Sequence, residues 1–178
     1  MSYVTRYIAL ALSLSLLGCA STAKRVPAGA DIAPNEEAAI LDAVDRFLEA
    51  MGSRDTVAYA DLLTSDGMTY TQRKLDGQWR LLRRTNQHHI DTLDDKTDLL
   101  AETYWEPTVL IRGPIAVVWA PYRFRVNGIV SHCGVDVFEM LKIEGRWVMG
   151  NAMWTFEPDA CEELQPRTGA KVRPAKPK

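Results

Sequence analysis

Turn signals between residues 68 and 157 divide this part of the chain into short β-rich segments. Asp76-Gly77, Asn127-Gly128 and Glu144-Gly145 are residue pairs favoured in tight hairpin turns, and Arg112-Gly113-Pro114 adds another break. Because strands joined by such short turns pair antiparallel, the pattern predicts a β-meander in the C-terminal half. The predicted strands lie near 68–74, 78–83, 99–111, 115–126, 129–142 and 146–157.

Helical patterns precede this sheet. From Pro34 to Met51 apolar residues recur at helical spacing, with glutamates in the first turn and a glycine just after the last. A shorter helix is predicted from Asp55 to Leu63, and Asn86 to Thr92 is a polar helical segment. Helices followed by a curved sheet predict an α+β domain.

The N-terminus resembles the signal of bacterial lipoproteins. An uncharged apolar run from Tyr7 to Leu17 ends in Leu16-Leu17-Gly18-Cys19, which resembles a lipobox. The resemblance implies that residues 1–18 form a signal peptide and that Cys19 carries lipid, which would anchor the protein to a membrane. Because Ala20 replaces the aspartate that retains such proteins at the inner membrane, we expect the outer membrane, facing the periplasm. An ordinary cleaved secretory peptide is the alternative.

Length and charge constrain the rest of the chain after residue 18. Residues 19–33 mix small residues, proline and glycine, as in a flexible tether, and residues 34–160 suffice for one domain. The remainder, 161–178, is a basic tail with prolines that we expect to be solvated, although attraction to anionic lipid or cell-wall polymer is left open. The formal net charge is −2, so no overall basic field favours nucleic acid as a partner.

Parts of the predicted sheet resemble the NTF2-like superfamily, which includes ketosteroid isomerase and SnoaL-like proteins. The resemblance implies an NTF2-like cone, an α+β fold with N-terminal helices packed on a curved antiparallel sheet. It identifies no activity, because this fold hosts enzymes, binding proteins and assembly modules. We also expect a homodimer. The face of the sheet opposite the predicted pocket is either core or a dimer surface. The matching segments are Ala116-Val117-Val118-Trp119, Ser131-His132-Cys133-Gly134-Val135-Asp136-Val137-Phe138, Gly145-Arg146-Trp147-Val148-Met149 and Trp154-Thr155.

Strand parity predicts which side chains share a face. If the turns after Val126 and Ile143 contain two residues and the strands contain no bulge, one face combines bulky apolar groups with a few polar ones, as a ligand pocket does. The resemblance points Trp147 and Met149 into the cone and so selects this face as concave. The predicted pocket residues are Trp119, Arg123, His132, Asp136, Phe138, Asn151 and Met153, with Tyr70 as a further candidate.

Asp136 is the candidate catalytic residue. A carboxylate among apolar groups has a raised pKa and can act as a general base. Asn151 or Tyr70 would then donate a hydrogen bond to a developing oxyanion. The alternative is that Asp136 and His132 only satisfy buried hydrogen bonds or pair with Arg123 and Glu157.

The sequence predicts neither a metal site nor a cofactor. His88 and His89 are adjacent, so their side chains diverge on a helix, and no third ligand follows at a defined spacing. A solvated or pocket-rim helix is the simpler interpretation. Phosphate-binding loops and serine-nucleophile motifs are also missing from the sequence.

Cys133 and Cys161 remain as a pair if Cys19 is lipidated, in an oxidising compartment. Parity places Cys161 five residues beyond the position that faces Cys133, so a disulfide requires the chain to fold back after Pro158. Whether the bridge forms is left open.

Three functions are consistent with these observations. The first is a membrane-anchored module that binds a small apolar or amphipathic ligand, or a protein partner, in the cell envelope. The second is an isomerase, cyclase or dehydratase that uses Asp136 as general base. The third is a structural dimer with a filled cone, in which replacing Trp119 would cost stability but no affinity.

Overall fold

The computed structural model describes residues 34–94 and 97–174. The predicted signal peptide, Cys19 and the tether lie outside these ranges. None of the helices within them is long and apolar enough to cross a membrane. The helices are α1 (Pro34–Ser53), α2 (Thr56–Asp61) and α3 (Asn86–Asp91), and the strands are β1 (Met68–Leu75), β2 (Gln78–Thr85), β3 (Leu100–Trp105), β4 (Thr108–Arg112), β5 (Ile115–Val126), β6 (Ile129–Ile143), β7 (Arg146–Phe156) and β8 (Val172–Pro174).

The strands form one curved sheet in the order β2-β1-β7-β6-β5-β3-β8, and β4 pairs with the other end of β5. Every pair is antiparallel except β1 with β7, so the sheet is mixed. The predicted turns after β1, β5 and β6 have positive φ at both central residues, as type I′ hairpin turns require. The predicted α+β class is confirmed. The expected strand 99–111 is instead broken at Glu106, where φ is +46°.

Helix α1 packs its apolar face on the concave side of the sheet. Its residues Ile40, Val44 and Leu48 are almost completely buried. Polar contacts fix the helix as well: the Nε1–H of Trp147 donates to a carboxylate oxygen of Glu36 over 2.9 Å. Burial of this stripe against the sheet stabilises the helix more than its intrinsic propensity does.

Two β-bulges decide which side chains face the concave side. Between β5 and β6 the register shifts after Phe124, which leaves Ser131 as an extra residue. Between β6 and β7 it shifts after Glu139, which leaves Gly150 as an extra residue. A single extra residue moves all following side chains to the opposite face relative to the partner strand. The no-bulge register used for the sequence prediction is therefore wrong.

The C-terminal segment returns to the domain. We expected residues 161–178 to be a solvated tail, but the described part, up to residue 174, carries β8, which pairs with β3. Arg173 forms an ion pair with Asp45 of α1 over 2.6 Å, and Asp45 also accepts a hydrogen bond from the Tyr104 hydroxyl. The segment thus fastens the sheet to α1.

Candidate functional site

The helices and the concave face of the sheet enclose a cavity of about 310 Å³. Its walls are mainly apolar and aromatic. Helix α1 supplies Phe47, α2 supplies Tyr59, and the central strands supply Tyr122, Phe138 and Trp154. A cavity of this size lies at the lower end of the range for small-molecule sites.

Three of the predicted pocket residues line this cavity. His132, Asp136 and Phe138 lie on β6, where the predicted alternation matches the structure. The side chains of β5 and of the outer part of β7 lie on the opposite face of the sheet from the predicted one, because of the bulges at Ser131 and Gly150. The lining there is Tyr122, Phe124, Ala152, Trp154 and Phe156.

The other five predicted residues do not line the cavity. Trp119 and Met153 lie on the opposite, convex face and are 51% and 43% exposed. Tyr70 and Arg123 alternate with the lining residues of β1 and β5 and so share that face. Asn151 accepts a hydrogen bond from the Met68 amide and donates to Glu139. The predicted oxyanion donors Asn151 and Tyr70 are therefore wrongly placed for chemistry in the cavity.

A buried pair of carboxyl groups lies in the cavity wall. Asp136 is 4% exposed and Glu102, on β3, is 6% exposed, and their carboxyl groups are close enough to share a proton. The expected alternative, in which Asp136 pairs with Arg123, is wrong, since its partner is Glu102. Asp136 Oδ2 and Glu102 Oε1 have no hydrogen-bond partner among the described residues.

Burial decides the protonation of this pair. Desolvation raises the pKa of Glu102, and it raises the pKa of Asp136 further because the neighbouring carboxylate repels a second charge. Two carboxyl groups in contact share one proton before both ionise. Asp136, whose pKa is raised further, holds this proton more strongly than Glu102 does.

Two histidines also line the cavity. The His132 ring stacks on Phe156 at a centroid distance of 3.9 Å, and burial lowers its pKa to about 4. The His89 Nε2 lies 2.7 Å from the Thr69 hydroxyl, and burial lowers its pKa to about 4 as well. Both rings are therefore neutral at pH 7 and add polar edges without charge.

Glu102 and His89 were missed as site residues by sequence reasoning. A signal for Glu102 exists, since it lies two residues before Tyr104, which is completely buried, and therefore on the same face of a mostly apolar strand. A carboxylate at a core position of a strand indicates a functional or paired group. His89 belongs to the predicted rim helix, but its inward direction depends on how α3 packs.

Behind the cavity, Cys133 and Cys161 form a disulfide with a Cα–Cα distance of 5.0 Å. The chain turns back after Pro158, and Cys133 pairs with Glu157 through two backbone hydrogen bonds. In the described ranges no three His, Cys, Asp or Glu side chains come together as a metal site.

The sequence matches no family model and no curated protein. Solved structures nevertheless share its architecture. An NTF2-like protein of unknown function from Shewanella baltica is 18% identical with a TM-score of 0.56, and the match covers 73% of this chain and 100% of that chain. An NTF2-like protein from Cytophaga hutchinsonii is 17% identical with a TM-score of 0.59, covering 68% and 98%.

A proposed ketosteroid isomerase from Shewanella frigidimarina is 20% identical with a TM-score of 0.50, and the match covers 65% of this chain and 94% of that chain. At such identities the comparison establishes the architecture alone. It agrees with the resemblance in β5, β6 and β7 and with the cone formed by α1 and the curved sheet. The chain therefore has the NTF2-like fold.

Proposed function

We propose that the protein binds a small, largely apolar molecule that carries a hydrogen-bond donor, such as a hydroxyl or an amino group, in the cavity of the cone. The observation that carries this proposal is the pair Glu102 and Asp136. Each group presents a buried oxygen without a partner among the described residues, in a cavity whose walls are mainly aromatic and aliphatic.

The energetics favour a ligand with this chemistry. A buried acceptor without a hydrogen bond costs about 1–3 kcal/mol, so a donor that reaches the pair gains that amount in addition to its apolar contacts. The aromatic rings of Phe47, Tyr59 and Phe138 offer dispersion contacts to the apolar part.

The proposal includes the location of the protein. Lipid on Cys19 would hold the domain at the outer membrane, facing the periplasm, through the tether of residues 20–33. The lipobox resemblance and the cysteine pair, which forms a disulfide in the fold, both support an exported protein. An apolar ligand in such a compartment would be protected from water by the cone.

Mass spectrometry of the protein extracted from membranes in detergent tests ligand and anchor together. We expect native spectra to show extra mass that denaturation removes, and the denatured chain to retain the mass of lipid on a protein beginning at Cys19. Ala152→Phe, which fills the cavity, should lose the removable mass. Met153→Phe, one residue further on the convex face, should keep it.

Loss of the removable mass from both variants, or from neither, would contradict binding in the cavity, because detergent and lipid adhere to the surface of both variants. An unmodified N-terminus would contradict the anchor but leave the cavity result intact. The two parts of the proposal are therefore tested separately.

An enzyme is the second candidate, favoured by the single proton that Glu102 and Asp136 share. In such a pair the ionised group can accept a proton from a substrate while its neighbour donates one. Asp136→Asn retains the size of the side chain but cannot exchange the proton. Turnover of an identified ligand that disappears in this variant, with binding retained, would establish the enzyme, whereas the absence of turnover in both proteins favours the binding module.

We also propose a homodimer through the convex face. Trp119, Val137, Met153 and Tyr70 are direct neighbours on four adjacent strands and form an apolar row. Exposed apolar rows of this kind are typical of interfaces. We expect Trp119→Glu to convert a dimer to a monomer in sedimentation velocity, whereas Val57→Glu, at an exposed position on α2, should not. A monomeric wild type would refute this assembly. The expectation that Trp119 fills the cone is wrong, since Trp119 is exposed on the convex face.

A further inference from the structure

The hairpin formed by β1 and β2 concentrates positive charge. Residues 68–85 contain five basic side chains and one acidic side chain, whereas the whole chain has a net charge of −2. Strand β2 is the edge of the sheet, and seven of its eight residues are exposed. The basic residues are Arg73, Lys74, Arg80, Arg83 and Arg84.

The same hairpin exposes large apolar side chains near its turn. Trp79 is 49% exposed and Leu81 is 51% exposed. They are two residues apart on β2 and so lie on the same, convex face. Lys74 lies above the Trp79 ring, with its Nζ 5.7 Å from the ring centroid. Apolar and basic groups are therefore mixed on one protruding element.

We infer that this hairpin binds the surface of a membrane that contains anionic lipids. Tryptophan and leucine enter the interfacial region of a bilayer, and arginine and lysine beside them contact the lipid phosphates. Each basic side chain near an anionic surface adds to the attraction. The positive charge of the hairpin is complementary to the negative charge of such a surface. The apolar pair Trp79 and Leu81 adds a contribution to binding that salt does not screen.

Charge argues against a second copy of the chain at this edge. Antiparallel pairing of β2 with its equivalent would place Arg80 and Arg83 of one copy close to the same residues of the other, and like charges directly opposite are destabilising. Self-association through the apolar row at Trp119 leaves the turn of the hairpin free. Nucleic acid would use the arginines but not the adjacent leucine.

The hairpin also borders the cavity. Thr71, Arg73, Leu82 and Arg84 belong to its lining and are less buried than Glu102 and Asp136 at the other end. A hairpin lying on a membrane would therefore bring the more open end of the cavity close to the lipid. This last step rests on the proposed ligand binding, but the membrane contact itself does not.

The test compares hairpin variants of the full chain on vesicles. Arg80→Glu/Arg83→Glu removes exposed charges that do not line the cavity, and Arg112→Glu/Lys171→Glu is the matched control elsewhere on the surface. Binding to vesicles with about a third phosphatidylglycerol is compared with binding to phosphatidylcholine vesicles. The N-terminal segment is identical in all proteins, so its contribution cancels in the comparison.

We expect the preference for anionic vesicles to fall at least about ten-fold in the hairpin variant and to change less than three-fold in the control. Trp79→Ser/Leu81→Ser should weaken binding at high salt, where charge is screened. Equal losses in both charge variants, or no anionic preference in the wild type, would overturn the inference. So would a hairpin variant that changes the oligomeric state, or one whose vesicle binding is unchanged while its binding of single-stranded DNA is lost. The cavity experiment with Ala152→Phe is independent of all these outcomes.

Discussion

Replacing Glu102 with glutamine should make the protein more stable than the wild type at pH 8, by about 3 kcal/mol, with little difference at pH 4. The reason is linkage. Burial raises the pKa of Glu102 from 4.5 to about 7, so the folded wild type binds a proton that the unfolded chain has released. The contribution of Glu102 to the free energy of unfolding is fully present below about pH 4.5 and is lost as pH rises to about 7. Each unit of pKa difference corresponds to about 1.4 kcal/mol.

Urea unfolding of both proteins between pH 4 and pH 8 measures this effect. The difference between wild type and variant is the relevant quantity, because protonation of His89 and His132 lowers the stability of both proteins as pH falls toward their folded pKa of about 4. Glu163→Gln, at an exposed position, should follow the wild type. A Glu102→Gln variant less stable than the wild type at every pH would show that the pair is a net stabilising contact.

Removing the disulfide should lower the free energy of unfolding by about 3–4 kcal/mol. The bridge closes a loop of 28 residues. In the chain-entropy description, a loop of this length lowers the conformational entropy of the unfolded chain and so destabilises the unfolded state by that amount. Loss of the bridge also releases the constraint between β6 and the segment that leads to β8. We therefore expect the backbone amide hydrogens near Arg173 and Asp45 to exchange faster with solvent.

Unfolding of the wild type with and without reductant, beside Cys133→Ala/Cys161→Ala, measures this contribution. Reductant should bring the wild type to the stability of the double variant and leave the variant unchanged. A reduced wild type as stable as the oxidised protein would refute the stabilising role. If only the double variant lost stability, and the reduced wild type did not, the loss would come from the packing of the buried Cys133 side chain and not from the bridge.

Local patterns predicted most of the fold. The helical spacing before Gly52 and the residue pairs at the hairpin turns act over a few residues, and the structure has α1 and the turns where these patterns lie. Strand β8 could not be predicted in this way. Its three residues pair with β3 and are held by an ion pair to α1, so its structure depends on contacts distant in sequence.

The candidate site was predicted only where one strand determines it. His132, Asp136 and Phe138 follow each other on β6, and simple alternation places them on one face. The face of Trp119 and Met153 depends on register across two hairpins, and a bulge in each inverts it. The bulge at Ser131 has no local signal in the sequence, whereas an isolated glycine inside a strand pattern, such as Gly150, can indicate a bulge. Glu102 could have been predicted as a site residue, since strand parity alone places it on the same face as the core residue Tyr104.

The bulge at Gly150 has a consequence for comparing related chains. Deleting this single residue would restore a regular ladder without changing the pairs beyond it, because Asn151 already lies opposite Glu139 and Met153 opposite Val137. A one-residue gap at Gly150 in an alignment of related chains therefore leaves the inside and outside of β7 unchanged beyond that point. A chain that keeps this residue but forms no bulge would instead place Met153 opposite Asp136 and so turn it into the cavity in place of Trp154. Two nearly identical sequences would then present different surfaces to a ligand.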